Sequence, residues 1–259
     1  MSDEPRTATF DIVRSTGSSD HDRVVVEEPL EIRIGDRPVS VTLRTPGEDF
    51  DLAAGFLFTE SILRSPDDID SIRHWGSPNV VRVGLREGTA IDLQRLQRHF
   101  YSTSSCGVCG KTSIDALRAQ TFPLENDVTI AADEVHRLVT ALREQQSTFE
   151  ATGAIHAAAT FRRDGPLVCA REDIGRHNAV DKVAGSMLLN RASADVLVVS
   201  SRTSFEIVQK CVVMRIPILA AVGAPSSLAI ELARDFGLTL LGFVRDGRFN
   251  IYTHPERIA

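Results

Sequence analysis

The stretch DVLVVSSRTSFEIVQKCVVMRIPILAAV, residues 195–222, decides the fold class. It begins with an almost unbroken apolar run, Asp195–Ser200. Such a strand belongs to a sheet covered on both faces, because both alternating sets of side chains must be buried. A short hydroxylated loop carrying Arg202 follows. Ser204–Arg215 then places Ile207, Val208, Cys211 and Val212 on one helical stripe. Ile218–Val222 returns to an apolar strand. Strand, helix and strand in succession predict an α/β layer architecture.

The alternation continues outward. Toward the C-terminus, Ser226–Phe236 reads as a helix with Ser226 as its N-cap. Leu238–Val244 and Arg248–Tyr252 read as a hairpin turning at Asp246-Gly247. Toward the N-terminus, Asn178–Leu189 is helical, with Ala179, Val180, Val183, Ala184, Met187 and Leu188 on one face. Gly153–Phe161 and Leu167–Ala170 read as strands. Val135, Leu138, Val139 and Leu142 mark another helix, with Asp133 as its N-cap. The first hundred residues are mainly β: Arg23–Glu28, Leu30–Ile34, Pro38–Arg44, Ile69–Trp75 and Val80–Leu85 surround one helix, Asp49–Leu63. The expected fold is α/β (α+β overall). A mainly β domain over 23–113 precedes an α/β/α layer domain over 114–259. Residues 1–22 read as a flexible tail or a loosely attached first strand.

The chain has 259 residues, with 29 lysines and arginines against 35 aspartates and glutamates, for a net charge of -6. That balance argues against a general nucleic-acid binder, whose affinity comes from neutralised phosphates, but leaves room for a local basic pocket. No basic start with an apolar run marks a secretory signal, and Ile216–Gly223 is too short to span a bilayer. A cytoplasmic location without membrane contact is the expectation. Cysteines in that setting are expected as reduced thiols, and a two-fold homodimer is the default oligomer.

The four cysteines divide. Cys169 lies in a strand and Cys211 on an apolar helix stripe, where a thiol behaves as a small hydrophobe. Cys106 and Cys109 lie in YSTSSCGVCGKTS, residues 101–113, a loop of small and hydroxylated residues between the two halves. Lys111 nearby favours the thiolate. The pair fits three chemistries. Structural zinc usually needs four ligands, and neither a second Cys pair nor a finger-spaced His pair is present. A thioredoxin-like redox pair belongs just after a strand in a small βαβ fold, whereas this pair bridges two dissimilar halves. A mobile loop also suits a sulfur atom carried as a persulfide from one protein to another. A phosphate-loop reading of Gly110-Lys111-Thr112 would need glycine where Ser105 stands.

A second constellation is AREDIGRHNAVDK, residues 170–182. In α/β sheets, ligands bind in the crevice beyond the strand ends, and helix N-termini offer N–H groups to anions. Arg171, Arg176 and Lys182 are therefore candidate phosphate ligands, with His177 among them. Ser200–Ser204 offers Arg202 at the same edge. FVRDGR, residues 243–248, places Arg245 and Arg248 around a turn; on charge alone it is a solvated turn. His156, among small residues, reads as a hydrogen-bonded core histidine.

Five segments together resemble the formate dehydrogenase accessory sulfurtransferase family (FdhD/NarQ type): TSSCGVCG at 103–110, REDIGRHNAVDK at 171–182, SFEIVQK at 204–210, APSSLA at 224–229 and FVRDGRFNIY at 243–252. The similarity runs from about residue 23 to the C-terminus. The resemblance implies a second domain of cytidine deaminase fold and a sulfurtransferase activity. Cys106 would take sulfur as a persulfide from a cysteine desulfurase, with Cys109 assisting transfer. The acceptor would be the molybdenum cofactor bis(molybdopterin guanine dinucleotide), Mo-bis-MGD, before its insertion into a molybdenum- or tungsten-dependent formate dehydrogenase. Phe243, Val244, Arg245, Asp246, Gly247 and Arg248 would contribute to binding the guanine nucleotide ends, for which GDP is a mimic. Arg171, Arg176, His177 and Arg202 complete the candidate cofactor-binding set. No structural metal is expected, because His156 is followed by Ala157 and Ala158 where a deaminase zinc site needs Glu. Asp246 departs from the family, where a small residue is more usual. Two rival functions remain: a cofactor-binding chaperone without chemistry, and a dithiol/disulfide oxidoreductase.

Overall fold

A computed structural model describes residues 5–89, 122–124, 127–245 and 247–259. The expected domain boundary at 113/114 lies outside these residues. Thr7–Val13 (β1) and Ser19–Val25 (β2) pair antiparallel along their whole length. The stretch read as a tail is thus a hairpin, turning at Gly17 with φ +85°. The polar sequence SDHDRVV of β2 hid it, because its mostly exposed residues lack a buried alternation. Arg6 ties its base down, donating to the Glu48 carboxylate at 2.9 Å and the Glu172 carbonyl at 3.2 Å.

Glu28–Ile34 (β3), Arg37–Arg44 (β4), Ile69–His74 (β5) and Val80–Leu85 (β6) form a four-stranded sheet in the order β4-β3-β6-β5. Its inner face (Leu30, Ile32, Val39, Val81, Val83) packs on Leu52, Ala53 and Leu57 of the helix Asp49–Thr59 (α1). That helix stops at Thr59 rather than Leu63. Ser61 takes a left-handed φ of 57°, and Leu63 donates from its amide to the Leu57 carbonyl, so Leu63 still reaches the core.

The second half builds a six-stranded sheet from His156–Phe161 (β7), Leu167–Asp173 (β8), Val196–Val199 (β9), Ile218–Ala221 (β10), Thr239–Arg245 (β11) and Arg248–Thr253 (β12). The order is β12-β11-β10-β9-β7-β8, with β9, β10 and β11 mutually parallel. Ala132–Glu144 (α2) and Ser147–Thr152 (α3) precede β7, and Arg176–Leu189 (α4), Phe205–Val213 (α5) and Ser227–Asp235 (α6) fill the later connections. Val196, Val198, Ile218 and Ala220 face α2, while Leu197, Val199, Leu219 and Ala221 face α4, α5 and α6. The uninterrupted apolar runs of residues 195–222 therefore serve two cores, and the mixed α/β class holds. Three boundaries differ from expectation. Ala131, not Asp133, is the N-cap of α2. The run from Gly153 is strand only from His156, because α3 ends against Gly153. β8 runs on through Arg171, Glu172 and Asp173. The N-cap role of Ser226 is as expected, its Oγ accepting from the Ala229 amide.

The two sheets meet through α1 and α4, which cross at Gly55 and Gly185. A Cβ on either glycine would lie 1.8 Å from a backbone oxygen of the facing helix, so the two backbones touch directly. No described helix is long and apolar enough to cross a membrane.

Candidate functional site

Backbone hydrogen bonds join the loops at one end of the six-stranded sheet into a rim. His156 pairs in register with Asp173. The Ala157 amide donates to Ser200 Oγ at 2.9 Å and the Ser200 amide to the Ala157 carbonyl at 3.0 Å. The Thr203 amide donates to the Ala224 carbonyl at 3.0 Å, and the Phe243 amide to the Gly223 carbonyl at 3.1 Å. Residues far apart in sequence, Arg176, His177, Arg202 and the 243–248 hairpin, thus belong to one rim beyond the carboxyl ends of β9, β10 and β11. This is where open α/β sheets place ligands.

The rim is electropositive. Among the described residues, no carboxylate lies within ion-pair distance of Arg176, Arg202, Arg245 or Arg248. The helices α4 and α5 start there at Gly175 and Ser204, neither with a side-chain cap, which leaves their first amides for an anion. His177 Nε2 lies 3.3 Å from Ser204 Oγ and 3.8 Å from Glu206. Burial, with the charges of Lys210 and Arg176, lowers its pKa to about 4 against the pull of Glu206 and Glu60, so the ring is neutral at pH 7. His156 is half-buried, and it too is pushed below the ordinary histidine value. Burial comes first among the causes, then Arg176 and Arg202, with Asp173 opposing.

The 243–248 segment is shaped by strain. Phe243 adopts a left-handed φ of 55°, unusual for a bulky residue, and the β11–β12 register shifts between Gly242 and Arg245. The twist leaves Phe243 on the surface, with the Arg245 guanidinium 5.7 Å from its ring centre. Phe243, Arg245, Arg248, Phe249 and Asn250 line an open cavity of ≈240 Å³. Phe249 and Asn250 were not singled out from sequence; they follow from the alternation of β12. Val244 points the other way, fully buried in the core on the α2 side, so its side chain faces no ligand. Gly247 makes the turn at φ 71°, and Asp246 lies outside the described residues.

The 171–182 motif divides between the rim and the seam where the two sheets join. Arg171 is turned to the seam: it donates to Asp51 of α1 at 2.7 and 3.0 Å and to Ser186 Oγ at 3.1 Å. Its expected role as a phosphate ligand is not what this geometry offers, because β8 carries it away from the α4 start. Lys182, fully buried, lies 2.9 Å from Asp173 and donates to the Thr45 carbonyl at 2.9 Å. Asp173 also accepts from the Thr45 amide, the Gly175 amide and the Asn178 side chain. Asp181 accepts from Thr59 at 2.7 Å and from Lys210 at 2.8 and 3.0 Å. Burial acts to lower Lys210, but Asp181 and Glu60 outweigh it and hold the ammonium above its ordinary value. Sequence reasoning missed Lys210 and Thr59, since an isolated polar residue on an apolar helix gives no sign of its distant partner.

Cys106 and Cys109 lie outside the described residues. Cys169 and Cys211 are buried, as expected. Burial pushes both thiols up, Cys211 with nothing to oppose it.

The family model described as the FdhD/NarQ family matches residues 25–259. A sulfur carrier protein FdhD of Mycolicibacterium paratuberculosis is 49% identical over 249 residues, covering 91% of this chain and 92% of that one. The Streptomyces coelicolor protein of the same name is 47% identical, covering 92% and 89%. A crystal structure of a candidate formate dehydrogenase accessory protein from Desulfotalea psychrophila superposes with a TM-score of 0.81 at 26% identity, over 98% of this chain and 100% of that one. Taken with the matching mixed α/β architecture, these likenesses show that the chain belongs to the FdhD/NarQ family.

Proposed function

We propose that this protein is a sulfur carrier serving formate dehydrogenase, which holds sulfur as a persulfide on Cys106 and delivers it to Mo-bis-MGD bound at the rim. The observation that supports this reading is the division among the four cysteines. Cys169 and Cys211 are enclosed, with thiols that resist ionisation. The thiolate is the nucleophile in sulfur exchange, so a buried, protonated thiol takes no sulfur from a donor. Sulfur carriage, the activity in the relatives' names, then falls to Cys106 and Cys109.

The chemistry balances as a pair of exchanges. The Cys106 thiolate attacks the outer sulfur of a persulfide on a cysteine desulfurase. A new S–S bond forms, and the donor cysteine leaves as thiolate. Attack of the Cys109 thiolate on Cys106 Sγ then closes a Cys106–Cys109 disulfide and expels the carried atom as hydrosulfide for the metal. A thiol reductant reopens the pair. The cofactor is the substrate here. Its phosphates suit the unpaired arginines of the rim, and its guanine ends suit the cavity where Phe243 and Phe249 offer aromatic faces and Asn250 an amide. This chemistry belongs in the cytoplasm, where thiols stay reduced.

Incubation with a cysteine desulfurase and L-cysteine, followed by intact-mass analysis, tests the first step. The wild type is expected to gain one sulfur atom, and Cys106→Ala none. Equal loading of the two would overturn the assignment, and absence of any adduct would favour the chaperone reading.

A further inference from the structure

The rim carries a charge arrangement that the hairpin cavity does not explain. Arg176 leads into α4 and Arg202 follows β9, and both guanidinium groups bear electrostatically on the His156 imidazole between them. Neither has a carboxylate within ion-pair distance among the described residues; Glu206 feels Arg176 only weakly. Asp173, the carboxylate nearest His156 in register, is spent on Lys182, Asn178 and two backbone amides. Two cations beside a neutral ring, with two uncapped helix starts, make a site short of negative charge. Arginine's planar fork suits phosphate oxygens, and a ring nitrogen supplies a further donor.

We propose that Arg176, Arg202 and His156 form a phosphate-binding subsite, separate from the hairpin cavity, that takes up a proton on His156 when the anion binds. The sign follows from the surroundings. The empty site disfavours the imidazolium, because burial and the two arginines oppose it and only Asp173 helps. A bound dianion offsets the arginines and adds a negative neighbour, which favours the imidazolium. Binding is thus linked to protonation, and affinity rises as pH falls toward the value of the empty site. Within the cofactor reading, which this proposal deepens, the subsite takes a phosphate of the dinucleotide.

Titration calorimetry on the full chain tests it with sulfate, pyrophosphate and GDP. Sulfate stays a dianion across the useful pH range, so any proton taken up with it comes from the protein. Measured near pH 6.5 in two buffers of different ionisation heat, sulfate binding is expected to draw in a proton. Arg176→Ala and Arg202→Ala are expected to weaken sulfate and pyrophosphate about tenfold each, the scale of one lost charge-assisted contact. His156→Gln is expected to keep binding but abolish the proton uptake, while His177→Asn retains it. Circular dichroism checks that each variant folds, and Arg→Lys variants are expected to recover part of the affinity. Uptake that vanishes in His177→Asn, or anion binding indifferent to both arginines, would overturn the proposal. GDP binding that depends on Arg245 and Arg248 alone would overturn it while sparing the cofactor reading. Sulfate binding with no affinity for GDP would do the reverse.

Discussion

At the seam, Lys182 lies 2.9 Å from Asp173 and Lys210 lies 2.8 Å from Asp181, all four enclosed by protein. At the rim, Arg176 and Arg202 border solvent with no carboxylate paired to either among the described residues. The two regions share one stretch of chain: the 171–182 motif gives its strand residues and later helical residues to the seam, and Arg176 and His177 to the rim. The difference lies in the cost of leaving a charge unpaired. Inside, an unpaired ion loses its hydration without return, so each needs a partner and further hydrogen bonds. At the surface, water keeps the cost small, and an unpaired arginine is free to meet a ligand. A charged motif next to a strand end is therefore not one functional unit.

The contrast predicts a graded set of outcomes. The largest is at the seam. Lys182→Met keeps the volume but leaves Asp173 buried beside no cation, and a loss of about 3–5 kcal/mol in urea unfolding is expected. A loss under about 1 kcal/mol would mean that the backbone amides and Asn178 suffice for Asp173.

His177 comes next, because it touches both regions through Ser204, Glu206 and the field of Lys210. Its pKa falls from 6.5 to about 4 on folding, so the unfolded chain binds more protons across that window. Its contribution to stability is complete above pH 6.5 and is lost as pH falls through about 4. His177→Asn is expected to flatten the fall in stability across that window, measured by unfolding at several pH values. An unchanged slope would assign it to other groups.

The smallest effect is expected at the rim. Arg176→Ala combined with Arg202→Ala is expected to shift stability by no more than about 0.5 kcal/mol, as for surface changes that break no buried contact. A larger destabilisation would show that these arginines hold the structure rather than wait for an anion.

Much of the fold was legible because burial leaves a local periodic trace. The runs at 195–222 announced a sheet covered on both faces, and Val135, Leu138, Val139 and Leu142 announced α2. The β1–β2 hairpin was not legible: an exposed ribbon has no apolar alternation to read. At the candidate site, Arg202 and the 243–248 turn were found as charged loops after strands. Val244 was included only as part of a segment, and the twist at Phe243 is what separates its buried side chain from its exposed neighbours. His156 read as a core histidine, and its place on the rim depends on β9 lying beside β7.

By itself, the sequence determined the α/β class, the order of strands and helices in the second half, and a division of cysteines into two apolar and two glycine-flanked positions. These depend on neighbours within a few residues, where periodicity and turn chemistry act. Only the tertiary structure decided which charges of the 171–182 motif are enclosed and which stay free. That outcome rests on partners such as Asp51, Thr45 and Lys210, brought into reach because two glycines let α1 and α4 touch. Electrostatic partnership depends on distance in space and on exclusion of water, and neither is written in the spacing of residues along the chain.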